Sequence, residues 1–216
     1  MARPSWQILV ASIEHRHAKL ERLLDCLGPQ IVPGVTVLVY RDNLEAFIGA
    51  KRQALLEAAT ADYISFIDDD DTVAPDYVAA VTKALGKRPD YVGWEQVYLI
   101  DGVSQGRVIH SLANGPAWHN ENGIYYRGIA HTNVVRRDLA LLARFDTVSD
   151  GHPGEDYNWI MALAATGMVQ TEAYIDEKLY TIQGTSIDNF HTRREPLTEH
   201  PPRLERKSVR YVHAGA

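Results

Sequence analysis

Residues 49–71 read GAKRQALLEAATADYISFIDDDD, a helical pattern that leads into a short apolar run and then into four aspartates. A helix is predicted over residues 43–60, and its apolar face consists of Leu44, Phe47, Ile48, Leu55 and Ala58. The run YISFI at residues 63–67 is too short for a second helix and predicts a buried strand. The aspartates therefore stand at the end of that strand.

Strands and helices also alternate upstream of this stretch. Apolar runs at residues 8–11 and 35–40 predict two more buried strands, and leucines spaced as on one helix face predict a helix over residues 17–27 between them. This alternation favours an α/β domain with a mostly parallel central sheet and crossover helices. Ligands of such sheets bind beyond the carboxyl ends of the strands, which would place Ala11, Ser12, Asp42 and the aspartates on one rim.

The second half of the chain has a different pattern. Residues 91–110 predict two strands joined at Asp101-Gly102, which form a small antiparallel element of the sheet. A helix is expected over residues 155–166, and MVQTEAYI and KLYTI predict two late strands. We expect one domain over residues 1–190. Residues 191–216 contain six basic and three acidic residues and predict a basic tail, either flexible or wrapped on the surface.

Composition excludes several classes of protein. The chain has 216 residues and a net charge of −6, which argues against a general nucleic-acid or membrane-surface binder. Its single cysteine, Cys26, excludes an internal disulfide framework and a multi-cysteine metal site. The apolar run ILVA near the start is too short for a signal peptide, and no run approaches the length of a membrane span. These features predict a cytoplasmic protein.

Four adjacent carboxylates repel one another, so the run from Asp68 to Asp71 needs a counter-charge unless it is only a solvated loop. Mg²⁺ and Mn²⁺ prefer carboxylate oxygens and often share them with a substrate's phosphates. A calcium loop starting at Asp68 would need Gly and Glu where the chain has Val73 and Ala79. A phosphatase of the haloacid dehalogenase type has a DxDxT pattern, which the chain also satisfies, but its aspartate strand normally comes first in the domain.

Several ordered motifs resemble glycosyltransferase family 2, the inverting enzymes with the GT-A fold, over residues 6–185. Residues 49–71 resemble the family's G-x-A-R-N stretch followed by its D-x-D-D run. HTNVVRRDL with ARFD resembles the segment before the acid-base region, and GEDYNWIMALAATG at 154–167 resembles the family's E-D motif. The chain departs from the family at YRDNLE, where D-D-x-S-x-D is usual, and at Gln53, where Asn is usual. It also lacks the family's Arg after the E-D helix start.

The resemblance implies a metal site of Mn²⁺ or Mg²⁺ at the aspartate run. By family position Asp70 would bind the cation, Asp68 would support it, and His191 would supply a late contact to metal or phosphate. Asp71 would be either a carboxylate behind the metal ligands or the cap of the next helix, and we favour the cap.

The resemblance also implies catalytic and nucleotide-binding residues. Asp156 would take the proton of the acceptor hydroxyl, and Glu155 would orient acceptor hydroxyls, unless both acids only serve the helix N-terminus. The residues expected at the nucleotide are Ala11, Ser12, Asp42, Lys51, Arg52, Asp68 and Asp69. The small antiparallel element would lie on the acceptor side. Arg127 and His131 would lie near the donor sugar. The aromatic loop that contains Trp118, His119, Tyr125 and Tyr126 would form a stacking surface or a small lid.

The function implied by the resemblance is that of a metal-dependent inverting glycosyltransferase of the hexosyltransferase type. A UDP-sugar is the favoured donor, with GDP- and dTDP-sugars as alternatives. The acceptor would be a small molecule, a modified nucleobase in DNA, or a protein. The two rival functions are the DxDxT phosphatase, with a phospho-aspartate at Asp68, and a nucleotide-sugar-binding relative without turnover.

Overall fold

The computed structural model describes residues 3–147 and 154–185, together with the backbone of residues 209–212. The first half contains β1 (Trp6–Ile13), α1 (His17–Leu27), β2 (Val35–Asp42), α2 (Ile48–Ala58), β3 (Tyr63–Phe66), β4 (Thr72–Val73) and α3 (Tyr77–Leu85). The second half contains β5 (Tyr91–Ile100), β6 (Val103–His110), β7 (His119–Glu121), β8 (Ile124–Arg127), β9 (Val134–Arg136), α4 (Arg137–Ala140), α5 (Glu155–Ala165), β10 (Glu172–Gly184) and β11 (Val209–Val212).

These strands form one mixed sheet in the order β11-β2-β1-β3-β9-β5-β6-β8-β7, with β10 beside β5 and β4. At its centre β1 pairs in parallel with both β2 and β3. Alternate residues of β1 enter two cores: Ile8 packs in the cluster that includes Leu23 and Tyr77, whereas Leu9 packs in the cluster that includes Leu55 and Trp159. Helices therefore cover both faces of the parallel strands, which confirms the predicted α/β class.

The helix α2 is shorter than predicted, because it begins at Ile48 and not at residue 43. The Asp42 carboxylate accepts the backbone N–H groups of Leu44 at 3.2 Å and Ala46 at 2.8 Å. Leu44 also has a φ of 65°, which is incompatible with a right-handed helix. The apolar spacing continued through this turn, but the local hydrogen bonds of the Asp42 side chain compete with the helix.

The two late strands are one strand, β10, which corrects the prediction of a break between them. β10 runs parallel to β5, and its register shifts between Ile175 and Lys178 and again between Lys178 and Tyr180. These irregularities let the strand pass the polar segment DEK without ending. Beyond them, Tyr180 and Thr181 pair with β4, next to the aspartate run.

The antiparallel element is a pair of hairpins on one side of the sheet. β5 and β6 join at Asp101 and Gly102, which both have positive φ, as a two-residue hairpin turn requires. The aromatic loop forms a second hairpin, β7–β8, and β8 pairs in parallel with β6. This side of the sheet therefore presents aromatic side chains beside the parallel centre.

Within the predicted basic tail, β11 pairs antiparallel with β2. The other residues of the 191–216 segment, including His191, lie outside the described residues. None of the helices in the described ranges is long and apolar enough to cross a membrane.

Candidate active site

The aspartate run lies at the carboxyl end of β3, beside the end of β1, as the parallel topology requires. The Ser12 hydroxyl donates to the Asp69 carboxylate at 2.6 Å, and Arg16 donates to its other oxygen at 2.9 Å. Burial raises the pKa of Asp69, while the contacts with Ser12 and Arg16 oppose that shift. Ser12 thus contacts Asp69 on the rim where the sequence placed it, and Ala11 precedes it in β1.

Basic residues after β1 supply much of the counter-charge that the aspartates need. Arg16 also lies 3.3 Å from the Asp70 carboxylate, and Lys19 lies 3.3 Å from the same oxygen. Arg22 donates to the Asp70 backbone carbonyl at 2.6 Å. No sequence motif singled out these three residues. Ligands bind beyond the carboxyl ends of parallel strands, and this rule indicated Ser12 at the end of β1. Applied to the residues that follow β1, it also indicates Arg16 and Lys19.

Arg52 connects the aspartate run to the other half of the site. Its guanidinium donates to Asp68 at 2.7 Å and also to Glu155. Burial by itself would raise the pKa of Asp68, but the charge of Arg52 and the contact with His131 hold it well below its ordinary value. Arg52 and Glu155 are buried with their polar ends paired. The two side chains therefore form a buried ion pair. The contacts of Arg52 with the nucleotide and of Glu155 with the acceptor stay predictions.

Gly49 explains how α2 comes close enough for Arg52 to reach Glu155. A Cβ atom at this position would lie 2.5 Å from the Phe145 carbonyl oxygen and 3.3 Å from the Glu155 Cβ. A side chain would thus push α2 away from the start of α5. The glycine of the GAKRQ motif serves helix packing here.

Lys51 and Asp42 form a buried ion pair behind the rim. The Lys51 side chain is 3% exposed, and its ammonium pairs with the Asp42 carboxylate and donates to the Ser12 carbonyl at 3.1 Å. Asp42 also holds the turn before α2. Both residues shape the rim from inside the protein, and their direct contacts with the nucleotide stay predictions. A buried pair of this kind is costly to break.

Asp71 does not cap α3, contrary to the preferred prediction. The residue before α3 is Asp76, and its side chain makes no capping hydrogen bond. Asp71 instead accepts the Tyr180 hydroxyl at 2.6 Å and the Gln183 backbone N–H at 2.8 Å. Burial, followed by the charge of Asp68, raises the pKa of Asp71 to about 8. Asp71 therefore ties the aspartate run to β10.

His131 lies between the aspartate run and the N-terminus of α5. Its Nε2 is 3.8 Å from an Asp68 carboxylate oxygen, and its Nδ1 is 3.8 Å from an Asp156 carboxylate oxygen. Neither ring nitrogen has a hydrogen-bond partner among the described residues, although the side chain is only 10% exposed. Asp156 is more open, with 35% of its side chain exposed. The two motifs thus converge on one space.

That space is a pocket of about 380 Å³. Asp68, Asp71, His131 and Asp156 line it on the side of the parallel sheet. The hairpin side contributes Tyr98, Trp118, Tyr125 and Arg127. The volume is of the size that accommodates a small ligand.

Carboxylate oxygens at the rim are the type of ligand that a hard divalent cation prefers. Their number is too small for a complete coordination shell. Within the described ranges, no three His, Cys, Asp or Glu side chains are arranged to hold a metal ion. The Asp70 carboxylate is partly exposed and has Arg16 and Lys19 beside it. Mg²⁺ commonly binds through one or two carboxylates and completes its shell with water and substrate phosphates. The residues fit a cation that arrives with a diphosphate.

His110 is a buried histidine on the same pocket, close to Arg127 and His131. Burial is the main reason why its pKa falls to about 3, and the positive charge of Arg127 contributes. The folded protein therefore holds His110 neutral, whereas the unfolded chain protonates it near pH 6.5. Since the unfolded state binds more protons between these values, stability is lost as the pH falls from 6.5 towards 3.

We expect His110→Gln to remove part of this acid sensitivity. Between pH 6.5 and 4.5 the wild type should lose ~2–3 kcal/mol more of its unfolding free energy than the variant does. Urea unfolding at the two pH values measures the difference. His15→Gln changes an exposed histidine and should follow the wild type. If His110→Gln also follows the wild type, His110 is protonated in the folded state.

Comparison with known proteins gives a family and a fold. The model of glycosyl transferase family 2 matches residues 21–141, more than half of the chain. The structure of TarS 1-349 from S. aureus superposes with a TM-score of 0.61 at 13% identity, over 83% of this chain and 60% of that one. Its complex with UDP gives a TM-score of 0.62 at 14% identity, again over 83% and 60%.

The complex of TarS 1-349 with UDP-GlcNAc superposes with a TM-score of 0.61 at 13% identity, over 83% of this chain and 58% of that one. This chain thus spans about three fifths of the TarS fragment it matches. No curated protein matches the sequence. The structural likeness confirms the predicted GT-A fold. The family match confirms the resemblance to the family, over residues 21–141. The chain belongs to glycosyl transferase family 2.

Proposed function

We propose that the protein transfers a sugar from a nucleotide diphosphate sugar to an acceptor hydroxyl, with inversion at the anomeric carbon. The observation that carries the proposal is the convergence of Asp68 and Asp156 on one pocket, on either side of His131. Family membership supports the reaction class. The UDP and UDP-GlcNAc complexes of TarS support a UDP-sugar as the donor.

On the donor side, the diphosphate would bind at the rim formed by the ends of β1 and β3. Asp70, with Asp68, would hold Mn²⁺ or Mg²⁺, and the bound cation would stabilise the charge of the leaving diphosphate. Arg16 and Lys19 stand beside Asp70 and would contact phosphate oxygens. Asp68 pairs with the buried Arg52, whereas Asp70 pairs with Arg16 and Lys19. A bound diphosphate would take over the contacts of Arg16 and Lys19 and leave the Asp70 carboxylate for the cation.

On the acceptor side, Asp156 would act as the general base. The acceptor oxygen would form a bond to the anomeric carbon while the bond from that carbon to the diphosphate oxygen breaks. The hydroxyl proton would pass to the Asp156 carboxylate, which is open to the pocket. The Arg52–Glu155 ion pair would keep the start of α5, and with it Asp156, in place.

A panel of UDP-, GDP- and dTDP-sugars, each with and without Mn²⁺, tests the donor site by thermal shift. A ligand at a hundred times its dissociation constant stabilises the folded state by ~2.7 kcal/mol, so one donor should raise the melting temperature clearly. Mn²⁺ should increase that shift for the wild type. Asp70→Asn should lose the additional shift that Mn²⁺ provides.

Asp76→Asn is the matched control, because Asp76 is an exposed aspartate outside the run. It should respond to donor and Mn²⁺ as the wild type does. If no nucleotide sugar stabilises the wild type, the proposed donor site is wrong. If Asp70→Asn keeps the full response to Mn²⁺, Asp70 is not the metal ligand.

The rival functions give other results. A DxDxT phosphatase would release phosphate from p-nitrophenyl phosphate, and we expect none, since Asp68 is held in an ion pair with Arg52 and follows the third strand of the chain. A binding relative without turnover would show the thermal shift but consume no donor.

A further inference from the structure

Arg127 is a cation on the pocket wall whose charge is incompletely compensated. Its guanidinium lies over the Trp118 ring at 4.6 Å and over the Tyr125 ring at 5.4 Å. One amino group donates to the backbone carbonyls of His119 at 3.0 Å and Tyr126 at 2.8 Å. Aromatic faces and carbonyls attract a cation, but none of these partners carries a negative charge.

Other arginines of this sheet have acidic partners. Arg107 lies 2.9 Å from Glu95, and Arg136 lies 2.7 Å from Asp90. No carboxylate of the described residues lies within ion-pair distance of Arg127. Burial lowers the pKa of Arg127, as expected for a charge partly removed from water. A partly buried cation that has no carboxylate partner among the described residues favours an anion from outside.

An exposed aromatic pair lies beside Arg127 at the mouth of the pocket. Trp118 is 42% exposed and Tyr157 is 44% exposed, although both are large apolar side chains. Their rings meet edge to face at 5.2 Å, which joins the β7–β8 hairpin to the first turn of α5. Asp156 is the neighbour of Tyr157 in that turn. An open indole next to the proposed base is suited to the apolar face of a sugar ring.

We propose that the acceptor is an anionic saccharide. Its phosphate or carboxylate pairs with Arg127, one sugar ring lies against Trp118, and a hydroxyl points to Asp156. This inference rests on the proposed function and names the class of molecule that accepts the sugar. Arg127 is well suited to the role because a guanidinium binds phosphate and carboxylate through paired hydrogen bonds.

The fluorescence of Trp118 provides a direct readout. The chain has four tryptophans, and Trp6, Trp94 and Trp159 are fully buried. Acrylamide, a neutral quencher, should therefore report mainly on Trp118. We would titrate glucose, glucose 6-phosphate and glucuronate at constant ionic strength, with UDP present to fill the nucleotide site.

We expect glucose 6-phosphate or glucuronate to protect Trp118 at concentrations at least tenfold lower than glucose does. The two anions separate phosphate from carboxylate recognition. Arg127→Gln should bring the anionic sugars to the level of glucose, and Arg127→Lys should keep part of the preference because it keeps the charge. The melting temperatures of both variants show whether the hairpin is intact.

Equal protection by glucose and by both anions overturns the proposal, and so does the absence of protection by all three. The wild-type comparison decides this even if Arg127→Gln fails to fold. A preference that survives in folded Arg127→Gln also overturns it. A separate titration of the wild type with UDP isolates the donor site: if UDP binds and no anionic preference appears, only this inference fails.

Discussion

Asp156→Asn is expected to reduce the rate of sugar transfer by ~10²–10⁴-fold, the usual contribution of a positioned general base. The amide cannot take the proton from the acceptor hydroxyl, although it has nearly the shape of the carboxylate. Asp156 makes no ion pair with a Lys or Arg among the described residues, so the fold should tolerate the change. The affinity for UDP should stay close to that of the wild type.

Proton NMR of donor consumption measures this loss, with water as acceptor until the natural one is identified. Asp176→Asn is the matched control, since Asp176 is exposed on β10 and does not line the pocket. It should leave the rate unchanged. A rate in Asp156→Asn equal to that of Asp176→Asn would remove Asp156 from the mechanism.

Arg52→Met is expected to destabilise the folded protein by about 3–5 kcal/mol, the cost typical of removing one partner from a buried ion pair. The guanidinium lies between Asp68 and Glu155, so the buried Glu155 carboxylate and the more exposed Asp68 carboxylate would both lose their counter-charge. Methionine keeps much of the apolar stem, so lost packing contributes little. Urea unfolding at neutral pH measures the change.

Arg144→Met is the comparison for Arg52→Met. Arg144 pairs with Asp146 at 2.7 Å but is 55% exposed, and surface pairs contribute about 0–1 kcal/mol. A loss for Arg52→Met as small as the loss for Arg144→Met would show that Asp68 and Glu155 do not depend on Arg52.

The sequence predicted the centre of the fold because apolar runs of this length and composition favour buried strands. Residues 8–11, 35–40 and 63–67 all became strands, and the leucines of α1 marked that helix at its observed ends. The start of α2 was missed because the apolar spacing passes through Leu44, while the turn depends on hydrogen bonds of one side chain, Asp42. Periodicity reports burial and does not report such local competition.

The sequence singled out the acidic residues of the candidate site, but it did not indicate which residues pair with them. Asp71 was assigned to the next helix because that helix is near in sequence, yet its partners Tyr180 and Gln183 come from β10, more than a hundred residues later. The pairing of Arg52 with Glu155 likewise depends on how α2 packs against α5. Contacts between distant segments follow from packing, which a single sequence does not display.

The stereochemistry of donor hydrolysis by the wild-type protein tests the central claim most directly. Proton NMR would follow a panel of UDP-α-sugars with Mn²⁺ and record which anomer of the free sugar appears first, before mutarotation. The account predicts release of UDP together with the β-anomer. Asp156 would activate a water molecule that attacks the anomeric carbon on the face opposite the leaving diphosphate. First appearance of the α-anomer, or no consumption of any donor that the protein binds, would contradict it.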